Sequence, residues 1–199
     1  LDIFLINNIL RIISGQYRAI KLIEPPKDKQ LRPISNKNLK NIINILYSGN
    51  LLSNLNINIS EIKLLDLFAG TGIFSFENLS QNIASATMID LSQKNIDIIK
   101  ENGKLLKIND KIKIIKYNLA NSLPKLPDKY HLIFADPPYN QNLTEKIFQN
   151  LEENYLEKKH LVIIESDKKE KLKFNHDKFQ IIKEKIYGKS KFSFLVRLI

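Results

Sequence analysis

The chain has 199 residues, 43% of them hydrophobic, with 31 Lys and Arg against 21 Asp and Glu and no cysteine. That length and apolar share fit one α/β-sized domain with a small appendage and exclude a disordered tail. The lack of cysteine excludes a disulfide scaffold, a thiolate zinc site and a thiol nucleophile.

His131, His160 and His176 show no metal-ligand spacing, so no metal is expected. No apolar run approaches the ~20 residues of a membrane helix. Asp2, Asn7 and Asn8 interrupt the opening apolar stretch and no basic segment precedes it, so neither a signal peptide nor a membrane partner is expected, and the cytoplasm is the expected location.

The net charge of +10 is unevenly spread. Residues 11–40 carry a net +6 and residues 168–191 another +6, which leaves the rest at −2. A general lysine bias would not concentrate the excess in two flanks. Three of the four arginines, Arg11, Arg18 and Arg32, lie in the first flank, and the guanidinium fork suits phosphate and base edges. The distribution favours a nucleic-acid partner over a merely solvated surface.

In chain order, Ile9–Ser14 and Arg18–Ile23 flank Gly15-Gln16-Tyr17 as a short hairpin. Pro25, Pro26 and Pro33 punctuate a loop. Leu39, Ile42, Ile43 and Leu46 recur at helical spacing and predict a helix over Asn36–Tyr47, with Lys37, Lys40, Asn41 and Asn44 on its polar face. Ser53–Ser60 is low in complexity and reads as a connector between an N-terminal extension (1–52) and a catalytic domain (61–199).

Strand and helix then alternate. Strands are predicted at Ile62–Phe68, Ala86–Asp90, Lys111–Tyr117, Tyr130–Asp136 and His160–Glu165, and helices at Ile73–Gln81, Gln93–Leu106 and Leu143–Tyr155. Phe179–Tyr187 and Lys191–Leu198 close the chain as an antiparallel hairpin turning at Gly188. The expected fold class is α/β, Rossmann-like, with a mostly parallel sheet whose ligands bind at the carboxyl ends of the strands.

Two motifs fall at such ends. The first strand runs into Asp66-Leu67-Phe68-Ala69-Gly70-Thr71-Gly72, and Gly70 and Gly72 let the backbone turn sharply and approach a ligand. Asp90 ends the next strand. A dinucleotide fingerprint would have its third glycine at Ser75, and a carboxylate at Asp66 suits a cofactor bearing a positive amino group better than a pyrophosphate. S-adenosylmethionine has that amino group, a sulfonium and ribose hydroxyls for Asp90 to accept. The fourth strand ends in Asp136-Pro137-Pro138-Tyr139. The prolines fix a rigid corner with outward carbonyls. The Asp136 carboxylate and the Pro137 carbonyl can accept from an exocyclic amine, and Tyr139 can stack on its base. This combination points to methyl transfer onto an amino group, driven by alignment and electrostatics.

Asp-Pro-Pro-Tyr after Asp-x-Phe-x-Gly-x-Gly resembles the S-adenosylmethionine-dependent methyltransferases of exocyclic amines. The chain is most similar to the RsmD family, bacterial enzymes that make N2-methylguanosine in 16S rRNA at nucleotide 966. The resemblance spans nearly the whole chain: Arg11–Gly15 with Tyr17-Arg18 and Lys21-Leu22, Leu31-Arg32-Pro33, Asp66–Gly72 with Glu77 and Leu79, Asp90, Asn102, Asn118, Asp136–Tyr139, Ile164-Glu165-Ser166 and Lys185–Gly188. It implies Asp136, Pro137, Pro138 and Tyr139 as catalytic residues. It implies Asp66, Phe68, Gly70, Thr71, Gly72, Asp90, Leu91, Asn118 and Leu119 for the cofactor, and Arg11, Arg18, Lys21, Arg32 and Lys37 for RNA. The implied partner is 16S rRNA, free or in a partly assembled small subunit, met by a monomer. The chain departs from the family at Ala19 and Ser75, where glycine is usual, at Ser92, where an acid is usual, and at Lys37–Lys40, where arginines are usual. Three alternatives stay open: an adenine-N6 methyltransferase of DNA or RNA, a catalytically idle rRNA-binding assembly factor and, disfavoured by Ser75 and Asp66, a dehydrogenase.

Overall fold

The computed structural model describes residues 10–24, 34–120, 122–138, 143–151 and 155–198. The expected roles of Arg32 and Tyr139, and the prolines 25, 26 and 33, lie outside the described residues.

Seven strands form one sheet: β1 (Lys63–Leu67), β2 (Ser85–Asp90), β3 (Ile112–Lys116), β4 (Tyr130–Ala135), β5 (Leu156–Asp167), β6 (Phe179–Tyr187) and β7 (Ser190–Arg197). Their order is β3-β2-β1-β4-β5-β7-β6. The first five pair in parallel, and β7 runs antiparallel between β5 and β6. The chain winds outward from β1 to β3, then restarts at β4 on the other side of β1. That reversal opens the crevice in which such sheets bind ligands.

The strands alternate as fully buried strands do. Leu64, Phe134 and Ile163 join one apolar cluster, while Leu65, Ile133 and Val162 join the other. The first cluster packs helices α1 (Asn36–Leu46), α3 (Ile73–Ser80) and α4 (Gln93–Leu106); the second packs α5 (Leu143–Leu151). Helix α1 buries Leu39, Ile42, Ile43 and Leu46, the predicted stripe, and Ser35 caps its start by accepting from the Asn38 amide. Helix α4 is capped likewise by Ser92.

The N-terminal segment pairs as a hairpin would, with an Arg11–Lys21 bridge and Leu22 N donating to Leu10 O at 2.9 Å, but it forms no continuous strands. Leu10, Ile12 and Leu22 are buried in the first core cluster, while Arg11, Arg18 and Lys21 are exposed. The predicted connector at 53–60 is more structured than its composition suggests. A short helix, α2 (Leu51–Asn54), and a 3-10 turn at Ile59–Glu61 occupy it, and Leu52 and Ile57 are buried. Strand β5 starts four residues earlier than His160, because Leu156 pairs with Tyr130 before a register shift. Helix α5 is described to Leu151, and Tyr155, expected at its end, instead accepts the Tyr130 amide through its carbonyl. No helix among the described residues is long and apolar enough to cross a membrane.

Candidate active site

The two motif corners stand side by side. Leu67 pairs with Ala135 across the β1–β4 ladder, and the Asp136 amide, one residue further, donates to the Leu67 carbonyl at 3.4 Å. Side-chain alternation then puts Asp66, Asp136 and, on β5, Glu165 on the face covered by α1 and α3. Directly beneath, Phe74 of α3 stacks on Phe134 with ring centroids 3.9 Å apart, which gives the corner a rigid apolar floor.

The β1–α3 loop is built on left-handed backbone: Phe68 has φ 62°, Gly70 55° and Gly72 75°. A side chain on Gly72 would meet the Phe76 ring at 2.9 Å and the Met88 sulfur at 3.1 Å, so glycine is required there for packing as well as for the turn. Gly70 is different. A Cβ there would have only the Phe68 carbonyl oxygen, at 4.0 Å, within reach, so its outer side is open to a ligand. The buried Thr71 hydroxyl between the two glycines has no hydrogen-bond partner among the described residues. An orphaned buried hydroxyl and an open glycine face fit a polar cofactor lying along this loop.

Asp66 is fully buried and accepts from Ser75 Oγ at 2.6 Å. Burial first, and the neighbouring Asp90 charge to a lesser degree, raise its carboxyl to about 7 against the Ser75 hydrogen bond. Burial also lifts Asp136 well above the ordinary carboxylate range, helped by the charges of Glu165 and Asp66. Buried Asp66 and half-buried Asp136 face no cation among the described residues, and an ammonium and a sulfonium would supply one.

Asp90 braces the loop rather than standing open. Its Oδ2 accepts the Gly70 amide at 2.8 Å, and its Oδ1 accepts the Ser92 amide at 2.8 Å and Asn95 Nδ2 at 3.0 Å. Three of its roughly four acceptor positions are taken, which leaves room for about one ribose hydroxyl. Leu91 is 58% exposed beside it. The Tyr117 amide bonds the Asp90 carbonyl, which brings the exposed Asn118 and the buried Leu119 to the same sheet edge. Pro137 is buried and Pro138 exposed.

The arm that carries Arg11, Arg18 and Lys21 is fastened to the cofactor-side helices. Glu77 of α3 accepts the Ile13 amide and Ser14 Oγ, the Gln16 amide donates to Ser80 O at 2.8 Å, and Asn102 of α4 both accepts from and donates to the Ile23 backbone. Lys37 is exposed at the start of α1.

Sequence reasoning missed Ser75 as a participant. Read as a lost glycine, it is the hydrogen-bond partner of Asp66, and no pattern in the sequence announces that pairing. Ser92, read as a departure from the family's acid, caps α4 and donates its amide to Asp90, a pair of roles the sequence reading did not foresee.

A protein-family model described as "Conserved hypothetical protein 95" matches residues 10–196. Ribosomal RNA small subunit methyltransferase D of Buchnera aphidicola subsp. Acyrthosiphon pisum is 32% identical, over 83% of this chain and 82% of that protein. The protein of the same name from Escherichia coli (strain K12) is 28% identical, over 90% of this chain and 85% of its own length. The solved structure of "Putative methyltransferase yhhF from Escherichia coli" superposes with a TM-score of 0.78 at 26% identity, covering 95% of this chain and 98% of that one. The match over nearly the full length, on a sheet with the two motif corners adjacent, places the chain in the conserved hypothetical protein 95 family, the RsmD family, as a methyltransferase that uses S-adenosylmethionine.

Proposed function

We propose that this chain methylates the exocyclic N2 of a guanine in small-subunit (16S) rRNA, at the position corresponding to nucleotide 966. The observation that carries this reading is the adjacency of the Asp136-Pro137 corner and the Gly70–Gly72 loop on neighbouring strands. The relatives named small-subunit rRNA methyltransferases support the substrate class.

In this reading Asp66 faces the cofactor's ammonium, Thr71 donates a hydrogen bond to the cofactor's carboxylate, Asp90 accepts from a ribose hydroxyl, and Phe68, Leu91, Asn118 and Leu119 border the adenine. When bound, S-adenosylmethionine supplies an electrophilic methyl carbon on a sulfonium. The guanine must leave its stack to reach the strand ends. The Asp136 carboxylate and the Pro137 carbonyl then accept the two N2 hydrogens, and Tyr139 stacks on the ring. A guanine amine is a weak nucleophile because its lone pair is delocalised. Two acceptors on its hydrogens favour a pyramidal nitrogen whose lone pair is aligned for in-line displacement. The N2–C bond forms as the S–C bond breaks, and the proton left on N2 departs through Asp136. Its raised pKa makes the ionised form a stronger base. Arg11, Arg18, Lys21, Arg32 and Lys37 hold phosphates, so binding weakens with salt.

Asp136→Ala should abolish tritium transfer from labelled cofactor to small-subunit rRNA while cofactor binding persists, and nucleoside mass spectrometry should find N2-methylguanosine with the wild-type chain. Undiminished transfer by the variant removes Asp136 from the mechanism, and N6-methyladenosine as the product replaces the guanine reading with the adenine one.

A further inference from the structure

We propose that Glu165 is the base-selecting residue of this site, accepting the N1–H of the target guanine while Asp136 and the Pro137 carbonyl hold its N2 amino group. The proposal deepens the methyl-transfer reading above and rests on it.

The Asp-Pro-Pro corner alone does not distinguish guanine from adenine, since both present an exocyclic NH₂. Guanine adds a third hydrogen on the same edge, at N1, where adenine has a lone pair. A guanine-specific site therefore needs a third acceptor beside the first two. Register supplies one. Ala135 pairs with Ile164 across the parallel β4–β5 ladder, so Asp136 and Glu165, each one residue on, sit opposite one another on strands about 4.8 Å apart. Phe134 and Ile163 belong to the same apolar cluster, and two residues further along each strand Asp136 and Glu165 lie on that same face at the ligand edge of the sheet.

Glu165 is only 4% exposed. Burying a carboxylate beside a second one is costly, so a hydrophobic side chain would serve packing better there. The two groups also act on each other: the Glu165 charge is the largest cause after burial of the upward shift at Asp136. A pair of acceptors at this spacing suits the N1–H and N2–H donors of guanine. It opposes adenine, whose N1 lone pair would face a carboxylate. A site built to receive a donor discriminates strongly against an analogue that lacks it, because the acceptor is left buried and unpaired.

The test uses the full chain with labelled S-adenosylmethionine and two synthetic rRNA fragments, one carrying guanine and the other 2-aminopurine at the target position. The analogue keeps the 2-amino group but has a lone pair at N1. The wild-type chain should prefer guanine by about a hundredfold or more in kcat/KM. Glu165→Gln, whose amide can donate to that lone pair, should shrink the preference by about tenfold or more. Calorimetric binding of S-adenosylmethionine reports that the variant is folded. If the variant does not fold, the wild-type comparison still decides. Equal use of both bases by the wild type, or an unchanged preference in a folded Glu165→Gln chain, overturns the assignment. No transfer to the guanine fragment by the wild-type chain overturns the methyl-transfer reading itself.

Discussion

Asp66→Asn should reveal how the free protein tolerates its buried acid. The carboxyl sits at about 7 in the folded chain, some three units above its ordinary value. Because the folded pKa is raised, this group's favourable contribution is complete below pH ~4, is lost as pH rises, and is gone above pH ~7. Over that window the unfolded state holds fewer protons than the folded state. Stability therefore falls by about 1.4 kcal/mol per pH unit for each such group, or roughly 3 kcal/mol between pH 5 and pH 7. Glu77, also raised to about 7 by burial, adds a similar slope. Urea denaturation of the cofactor-free proteins should thus show Asp66→Asn lacking one proton's worth of decline across pH 5–7, while the shares of Glu77 and Asp136, both lifted by burial, and the opposing shares of His131 and His160, both lowered by burial, stay in both profiles. Asparagine keeps an oxygen to accept from Ser75 Oγ, so the hydrogen bond at 2.6 Å need not be lost. Cofactor binding works in the opposite direction. An ammonium favours the ionised carboxyl, so wild-type affinity should strengthen as pH rises toward 7, and the variant's should be weak and nearly flat. Parallel stability–pH curves for the two proteins would refute the assignment of this carboxyl as the titrating group.

Two substitutions address the arm. Ala19 stands at φ 69°, a conformation that costs an L-residue about 1–2 kcal/mol and glycine almost nothing. After the entropy that glycine adds to the unfolded chain, Ala19→Gly should stabilise the protein by about 0.5–1 kcal/mol, read as a higher urea midpoint with an unchanged m value. Gly15→Ala should do the reverse and loosen the arm: at φ 77° its new Cβ would lie 2.0 Å from the Ser80 carbonyl oxygen, so the Gln16 and Tyr17 amides must leave Ser80. The expected signature is a KM for rRNA raised about tenfold with cofactor affinity preserved; an unchanged KM would remove the arm from RNA binding.

Local chemistry made much of the fold readable. Helix α4 spans the predicted Gln93–Leu106, and α1 buries the four residues its periodicity selects. The strands were located by their apolar runs, but no run states which neighbour it pairs with. The insertion of β7 between β5 and β6 is a matter of non-local pairing. The segment at 53–60 misled because polar asparagines mask Ile57, which the tertiary core claims. At the site, glycine and proline were informative because their backbone demands are intrinsic. Asp90 was read as a ligand-side acid, and its bracing of the loop depends on the fold bringing Gly70 to it. The meeting of Asp66, Asp136 and Glu165 is likewise set by strand register, which a sequence does not display.

If the proposed function holds, the basic flanks and the acidic crevice act as complementary parts of one device. In the proposed reading, exposed Arg11, Arg18, Lys21 and Lys37 and the exposed lysines of 168–189 attract the phosphate chain, whereas the carboxyls at the ends of β1, β4 and β5 repel it. A nucleotide approaching the crevice is therefore sorted by charge: its phosphates are favoured outside, and only the neutral base, with donors rather than acceptors leading, is favoured within. Screening over about 8 Å at physiological salt weakens the outer attraction more than the buried part. Added salt should consequently raise the KM for rRNA steeply while leaving the choice between guanine and 2-aminopurine nearly constant, since that choice is made where ions do not reach.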